Sequence, residues 1–376
     1  MSRTKIVVTD YVEPDLEWER ERLAGRDVDF EAYQLKFAPL PDLIEHVKNA
    51  DMIIVNMALM PRQVIERLEK CRLILRHGVG YDNVDVVAAT EKAIQVGYMA
   101  DYCVEEVAEH AILLILACWR KILLCRRILE ESSRTGMWDF KDAYPIFSLR
   151  GKTLGIIGCG RIGSRVLKKM AGFEINMLVC DPYLSESTQR SLGIKTMDLK
   201  TVLGDADIVT LHVPLNEETR HMIGQKELRM MKETAYLINT ARAQIVDTQA
   251  LTQALREGWI AGAGIDVYDK EPPPPNLELF RSEGATLTPH LAWYSEEAGW
   301  SIREKIMQDI ERFLDGRPPR FLINKELLER MGEQRGAVED GRLGAKERRS
   351  GVDRRSSEVA DRRTGFLGRR ASDRTR

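Results

Sequence analysis

Short apolar runs alternate with amphipathic stretches along most of this chain. The first set of runs is Lys5–Thr9, Val28–Tyr33, Met52–Asn56, Leu73–Arg76 and Ile94–Gly97. Stretches with helical spacing lie between them, near 14–24, 40–49, 61–69 and 83–92, and Pro14, Pro41 and Pro61 stand near three helix starts, where proline is tolerated. The pattern resumes with runs at Thr153–Ile157, Ile175–Cys180, Ile208–Val213, Ala235–Asn239, Ala261–Val267 and Thr286–Thr288. Strand–helix alternation of this kind predicts parallel sheets covered on both faces, so the chain reads as two doubly wound α/β domains. Between the two sets, residues 104–130 read as one long helix, apolar nearly all round in its middle and therefore buried, running between the domains as part of a hinge. Residues 136–148 read as a loop whose Trp138, Phe140, Tyr144 and Phe147 wrap over a neighbouring surface such as a second subunit. A helix over 300–315 and a return of residues 318–324 to the first domain complete the folded part.

Only one of the first turns in the two sets carries a nucleotide fingerprint. The run ending at Ile157 is followed by Gly158-Cys159-Gly160-Arg161-Ile162-Gly163, a helical pattern, a second apolar run and then Asp181. The three glycines serve different purposes. Gly158 turns the chain off the strand, Gly160 lets backbone approach a pyrophosphate, and Gly163 lets the helix pack on the sheet. The helix N-terminus then offers free N–H groups to phosphate. Asp181, 18 positions beyond Gly163, can accept both ribose hydroxyls and would repel a 2′-phosphate, which points to NAD and away from NADP. Six strands follow from this count, the number in the dinucleotide fold.

Composition narrows the picture little. The net charge of −2 gives no case for nucleic acid or an acidic membrane, and the longest apolar stretch, Ala111 to Trp119, is too short to span a bilayer. The N-terminus runs straight into a strand, with no signal peptide expected. The six cysteines are scattered without a CxxC pair, which suits reduced thiols in a cytoplasm. Cys159, inside the glycine loop, is read as a small filler in preference to an oxidisable thiol. The six histidines form no HxH or HxxxH, and no metal site is expected.

Ligands of open α/β sheets lie beyond the carboxyl ends of the strands. Arg242, Glu271 and His290 fall at or just beyond three successive strand ends of the second domain, on the rim that holds the glycine loop. Together they supply what hydride transfer to a 2-oxo acid needs. Arg242 can grip a carboxylate with a planar fork. His290 can give the proton for the new hydroxyl, and Glu271 can hold that imidazole in one tautomer. In the first domain the loop Arg76-His77-Gly78-Val79-Gly80-Tyr81-Asp82-Asn83 exposes backbone N–H groups that suit a carboxylate, although an ordinary tight turn would look the same. Glu109 and His110 are read as a wet helix end or a satisfied core pair.

With these pieces in view, the chain resembles the D-isomer-specific 2-hydroxyacid dehydrogenases over roughly residues 3–324. The stretches that carry the likeness are HGVGYDNVD, VAEH, GIIGCGRIG, CDPY, LHVPLNEETRHMI, INTAR, GIDVYDKEP and TPHLAW. The resemblance implies a Rossmann NAD domain (105–295) inserted into a flavodoxin-like substrate domain (1–104 and 296–330), and a homodimer formed through the NAD domain. It implies Arg242, Glu271 and His290 as catalytic residues. Gly158, Gly160, Arg161, Ile162, Gly163, Asp181, Val213, Pro214, Thr219, Thr240, Ala241 and Asp266 would bind the cofactor. Gly78, Val79, Arg242 and Trp293 would meet a small 2-oxo or 2-hydroxy acid. The active-site stretch PHLAWYS is most similar to the C-terminal-binding-protein branch, so an NAD(H)-sensing scaffold or corepressor-like regulator is the alternative to an enzyme. Ala243 stands where the family usually has glycine.

Residues 332–376 break the pattern. Apolar residues nearly vanish, the segment carries net +5 against −7 for the rest, and a basic pair followed by a hydroxyl recurs at Ser350, Ser356 and Thr364, and with one alanine between at Ser372. Such a segment has little to bury and is expected to be a disordered, arginine-rich tail of unknown partner.

Overall fold

The computed structural model describes residues 3–328, so the arginine-rich tail lies outside the described residues. The chain divides after Asn324, and both sheets belong to the first unit.

The first sheet has five parallel strands: β1 (Thr4–Val8), β2 (Val28–Ala32), β3 (Met52–Val55), β4 (Leu73–Arg76) and β5 (Gln95–Tyr98), in the order β2-β1-β3-β4-β5. This is the flavodoxin-like order, whose switch point lies between β1 and β3. The strands are apolar on both faces because both are covered. Val7, Ile53 and Ile74 enter one core with the helices between strands. Ile6, Ile54 and Leu75 enter another with Ile302, Ile306 and Phe313 of the late helix Glu296–Leu314. The chain returns to this sheet at its end: Leu322 bridges Gly97 antiparallel, and the Asn324 side chain bonds the backbone of Val96 and Ile94. At the switch point Asp10 is buried, and its carboxylate accepts N–H bonds from Met57 (2.8 Å) and Ala58 (3.1 Å) and the Thr9 hydroxyl (2.8 Å).

The second sheet contains β6 (Thr153–Ile157), β7 (Asn176–Cys180), β8 (Ile208–Leu211), β9 (Tyr236–Asn239), β10 (Gly262–Ile265) and β11 (Ala285–Leu287), in the order β11-β10-β9-β8-β6-β7. The strand expected beyond β7 in a dinucleotide sheet is reduced to a single parallel bridge, Val179 to Thr196. With that bridge as third strand the order is 3-2-1-4-5-6, and β11 is an additional seventh. The count of six read from the sequence reaches its number by missing Thr196 and including β11.

The single helix expected over 104–130 is two helices. Val104–Trp119 ends at Arg120, Lys121 takes a left-handed conformation (φ 50°), and Ile122–Thr135 starts afresh. A lysine at positive φ cannot continue an α-helix. The burial expectation holds for the first helix and fails for the second. The first helix packs Leu114, Ile115 and Cys118 against β6, β8 and β9, whereas the second buries none of its residues and leaves Leu123 and Leu129 exposed.

Candidate active site

The cleft between the sheets is a cavity of about 970 Å³ lined from both sides, with Asn56, Met57, Arg76, Val79 and Tyr81 on one wall and Arg161, Arg242, Glu271 and His290 on the other. It opens at the carboxyl ends of the strands, beside the neighbouring pair β6 and β8 at which the strand order reverses.

The three glycines of the loop meet different surroundings. A Cβ on Gly158 (φ 87°) would lie 2.7 Å from the carbonyl oxygen of His212 and 2.8 Å from Val213 Cγ1, and one on Gly163 would lie 2.0 Å from the carbonyl oxygen of Gly158. These two are fixed by packing. Gly160 meets nothing within 4 Å, so its face is open to a ligand. Asp181 accepts the N–H of Cys159 (2.8 Å) and of Tyr183 (3.0 Å), one on each oxygen, so it ties the loop to the end of β7 and keeps lone pairs for ribose hydroxyls. The buried Thr240 hydroxyl belongs to a residue lining the cleft and has no hydrogen-bond partner among the described residues. An open glycine, a carboxylate at the end of β7 and an orphaned hydroxyl fit a dinucleotide. Arg161, at the start of helix Arg161–Met170, lies over the ring of Phe321 at 5.1 Å, and Ile162 behind it packs with Val107 and Trp293. The Thr219 hydroxyl donates to the carbonyl of Pro214 (2.6 Å) and shapes that loop. Ala241 N–H is held by Asn239 (3.0 Å). Burial pushes the Cys159 thiol up to about 11, which supports the filler role.

Three of the predicted site residues converge. His290 Nδ1 lies 2.8 Å from both oxygens of Glu271. Burial opposes charge on Glu271, but the hydrogen bond and charge of His290 hold it below the usual carboxylate range. An ionised Glu271 accepts only, so Nδ1 carries a proton and Nε2 is left for a substrate. Arg242 is oriented by two residues that the sequence did not link to it: its Nε donates to Asp82 Oδ1 (2.8 Å) and its Nη1 to the carbonyl of Ala241 (2.9 Å). Burial works against Asp82, yet Arg242 keeps it ionised below its ordinary value. Nη2 lies against Gly80, where a Cβ would come within 1.4 Å.

The facing loop differs from expectation in one respect. The N–H of Gly78 is spent on the carbonyl of Arg76 (3.0 Å), whereas among the described residues the N–H of Val79 has no protein acceptor. Gly78 (φ 148°) makes room for the Arg76 guanidinium, which its Cβ would strike at 1.3 Å. Burial, with the like charge of Arg242, pulls Arg76 down to about 10, and it remains a cation. Trp293 packs beside Tyr102 and Tyr294 on the same rim. Glu109 and His110 diverge: Glu109 pairs with Lys169 (2.7 Å) on the surface, and His110 turns inward to Thr288 (2.9 Å).

Asp266 is wholly buried. Its carboxylate accepts from the Thr288 hydroxyl (2.6 Å) and from the N–H groups of Leu291 and Ala292 (3.0 Å each). Nothing in the sequence distinguished this use of Asp266 from direct cofactor contact. Among the described residues no cluster of His, Cys, Asp and Glu could hold a metal, and no helix is long and apolar enough to cross a membrane.

Comparison with known proteins agrees with this geometry. Residues 112–292 match the sequence model of the D-isomer specific 2-hydroxyacid dehydrogenase NAD binding domain. A glyoxylate reductase of Korarchaeum cryptofilum is 38% identical over 289 residues, spanning 76% of this chain and 86% of that one. A D-3-phosphoglycerate dehydrogenase of Archaeoglobus fulgidus is 35% identical over 340 residues, 87% of this chain but 63% of its own length. Among solved structures, the D-lactate dehydrogenase of Aquifex aeolicus, complexed with NAD and lactic acid, superposes with a TM-score of 0.74 at 28% identity, over 83% of this chain and 96% of that one. Sheet order, cleft and relatives coincide: the chain belongs to the D-isomer specific 2-hydroxyacid dehydrogenases, NAD-dependent oxidoreductases that interconvert 2-oxo and 2-hydroxy acids.

Proposed function

We propose that the enzyme works mainly as a 2-oxo acid reductase in which Arg242, Glu271 and His290 perform the chemistry. The bond from His290 Nδ1 to both oxygens of Glu271 carries this reading, because it fixes which nitrogen is free to move a proton. NADH, when bound, supplies the hydride. Arg242 Nη2 and the N–H of Val79 hold the substrate carboxylate from opposite walls, and the guanidinium polarises the 2-oxo group. His290 Nε2 gives its proton to the carbonyl oxygen as negative charge develops there, and Glu271 stabilises the imidazolium before transfer. Asp181 selects NADH through the ribose hydroxyls. The two sheets act as substrate and cofactor domains that close over the ligands.

Glyoxylate is the first substrate to test, since the similar enzymes of Korarchaeum cryptofilum and Thermococcus litoralis carry the name glyoxylate reductase. His290→Ala should abolish NADH oxidation with glyoxylate while NADH still binds. Full activity in that variant would sink the assignment, and NADH binding without turnover of any 2-oxo acid would favour the scaffold alternative. The exposed apolar surface of Leu123, Leu129, Trp138, Phe140, Tyr144 and Phe147 supports a homodimer formed through the cofactor domain, which light scattering would detect. Six free cysteines suit a reducing cytoplasm.

A further inference from the structure

His290 stands at φ 56°, a left-handed conformation that a residue with a side chain keeps only where its surroundings over-determine it. The determinant is next to it. Asp266 holds the two N–H groups that follow His290, those of Leu291 and Ala292, and the hydroxyl of Thr288 two residues before it. The Tyr268 hydroxyl adds a bond to the carbonyl of Thr288 (2.8 Å). The Asp266 carboxylate is therefore the anchor of the catalytic loop, and a buried carboxylate needs every donor it can find.

One donor comes from outside the loop and outside the β-sheet. His110, on helix Val104–Trp119, lies 2.9 Å from Thr288 Oγ1 and 3.6 Å from Asp266 Oδ1. The Thr288 hydroxyl has one hydrogen, and it is spent on the acceptor-only carboxylate. Its remaining capacity is to accept, so His110 must donate from Nε2. The order of donation is His110 to Thr288 to Asp266, and Asp266 in turn fixes the backbone on which His290 rides. We infer that His110 is a positioning residue for the proton-transfer step: it touches no reacting atom, and it sets the orientation of His290 through Thr288 and Asp266. This inference rests on His290 being the acid/base of the proposed reaction.

The test compares His110→Phe, His110→Gln and Thr288→Val with His290→Ala, using glyoxylate for turnover and NADH fluorescence for binding. His110→Phe should lower kcat by about 10- to 100-fold, the scale of a small misplacement of a catalytic group, with NADH affinity unchanged. His110→Gln should restore most of the rate, because its amide N–H can donate to the same hydroxyl. Thr288→Val should reproduce the loss, and the double variant His110→Phe with Thr288→Val should be no worse than the poorer single one, since both cut one chain of bonds. Wild-type kcat in His110→Phe, or additive losses, or a parallel fall in NADH affinity, would overturn the inference. If His110→Phe does not fold, wild-type kcat in Thr288→Val overturns it equally. A His290→Ala variant that stays active refutes the reading of the site itself, whereas an inactive one beside a fully active His110→Phe refutes only the role of His110.

Discussion

Gly80→Ala isolates the orientation of Arg242 from everything else in the cleft. The backbone at Gly80 is outside the left-handed region, so alanine brings no conformational strain there. The added methyl, however, would lie 1.4 Å from Arg242 Nη2, 2.3 Å from Cζ and 2.9 Å from Nε. These atoms end a flexible side chain, so the fold can yield, and stability should change by less than about 1 kcal/mol. The guanidinium cannot stay. It must swing away and surrender its 2.8 Å bond to Asp82 together with its aim at the substrate. A hydrogen bond to a charged group contributes about 1.5–3 kcal/mol. At about 1.4 kcal/mol per decade, kcat/KM for glyoxylate should fall roughly 10- to 150-fold. Steady-state NADH oxidation measures the loss, and NADH fluorescence and a thermal melt serve as controls that should not move. An unchanged kcat/KM would refute the assignment of Arg242 in this orientation, and an equal loss of NADH affinity would show that Gly80 acts on the cofactor.

Gly160→Ala tests the cofactor loop in the opposite way: its methyl meets no protein atom within 4 Å, so the melt of the free protein should be unchanged while NADH affinity, read by fluorescence, drops at least tenfold by order of magnitude. Glu13 responds to pH. Burial alone would raise it, but the hydrogen bond and charge of His77 hold it down to about 2 against a reference of 4.5. A folded value depressed in this way stabilises the protein above pH 4.5 and is lost as pH falls toward 2. Urea midpoints should therefore decline across that window, and Glu13→Gln should flatten the decline; an identical acid limb in the variant would remove the pair from the account. Burial lifts Cys103 to about 12 and Cys159 to about 11, so iodoacetamide at neutral pH should label these thiols only after denaturation, and rapid labelling of native Cys159 would mean that the glycine loop opens.

Much of this was legible in the chain because parallel sheets leave a plain signal. Strands buried on both faces appear as continuous apolar runs, as at Ile53 to Val55 and Leu73 to Leu75. Strand-end placement alone puts Arg242, Glu271 and His290 on one rim, and they line one cavity. What escaped had no periodicity to reveal it. Thr196 joins the sheet through one bridge, too short to make an apolar run. Lys121 breaks a helix whose apolar pattern runs on past the break, since a left-handed residue leaves no mark when it is not glycine. Asp82 and His110 act through partners distant in sequence, Arg242 and Thr288, so only the folded chain brings them into view.

The carboxylate of Asp10 gives the two sheets different thermodynamic characters. The rim where strand order reverses is the usual seat of a ligand in an open α/β sheet. In the second sheet that seat faces open space at Gly160. In the first it is filled by the protein's own anion, bonded to Met57 and Ala58. At its switch point the first sheet thus carries its own carboxylate in place of a guest. NADH bound at the open seat stabilises the folded protein in proportion to the logarithm of its free concentration. The switch point of the first sheet is in this sense constant, and that of the second responds to the redox cofactor available to it.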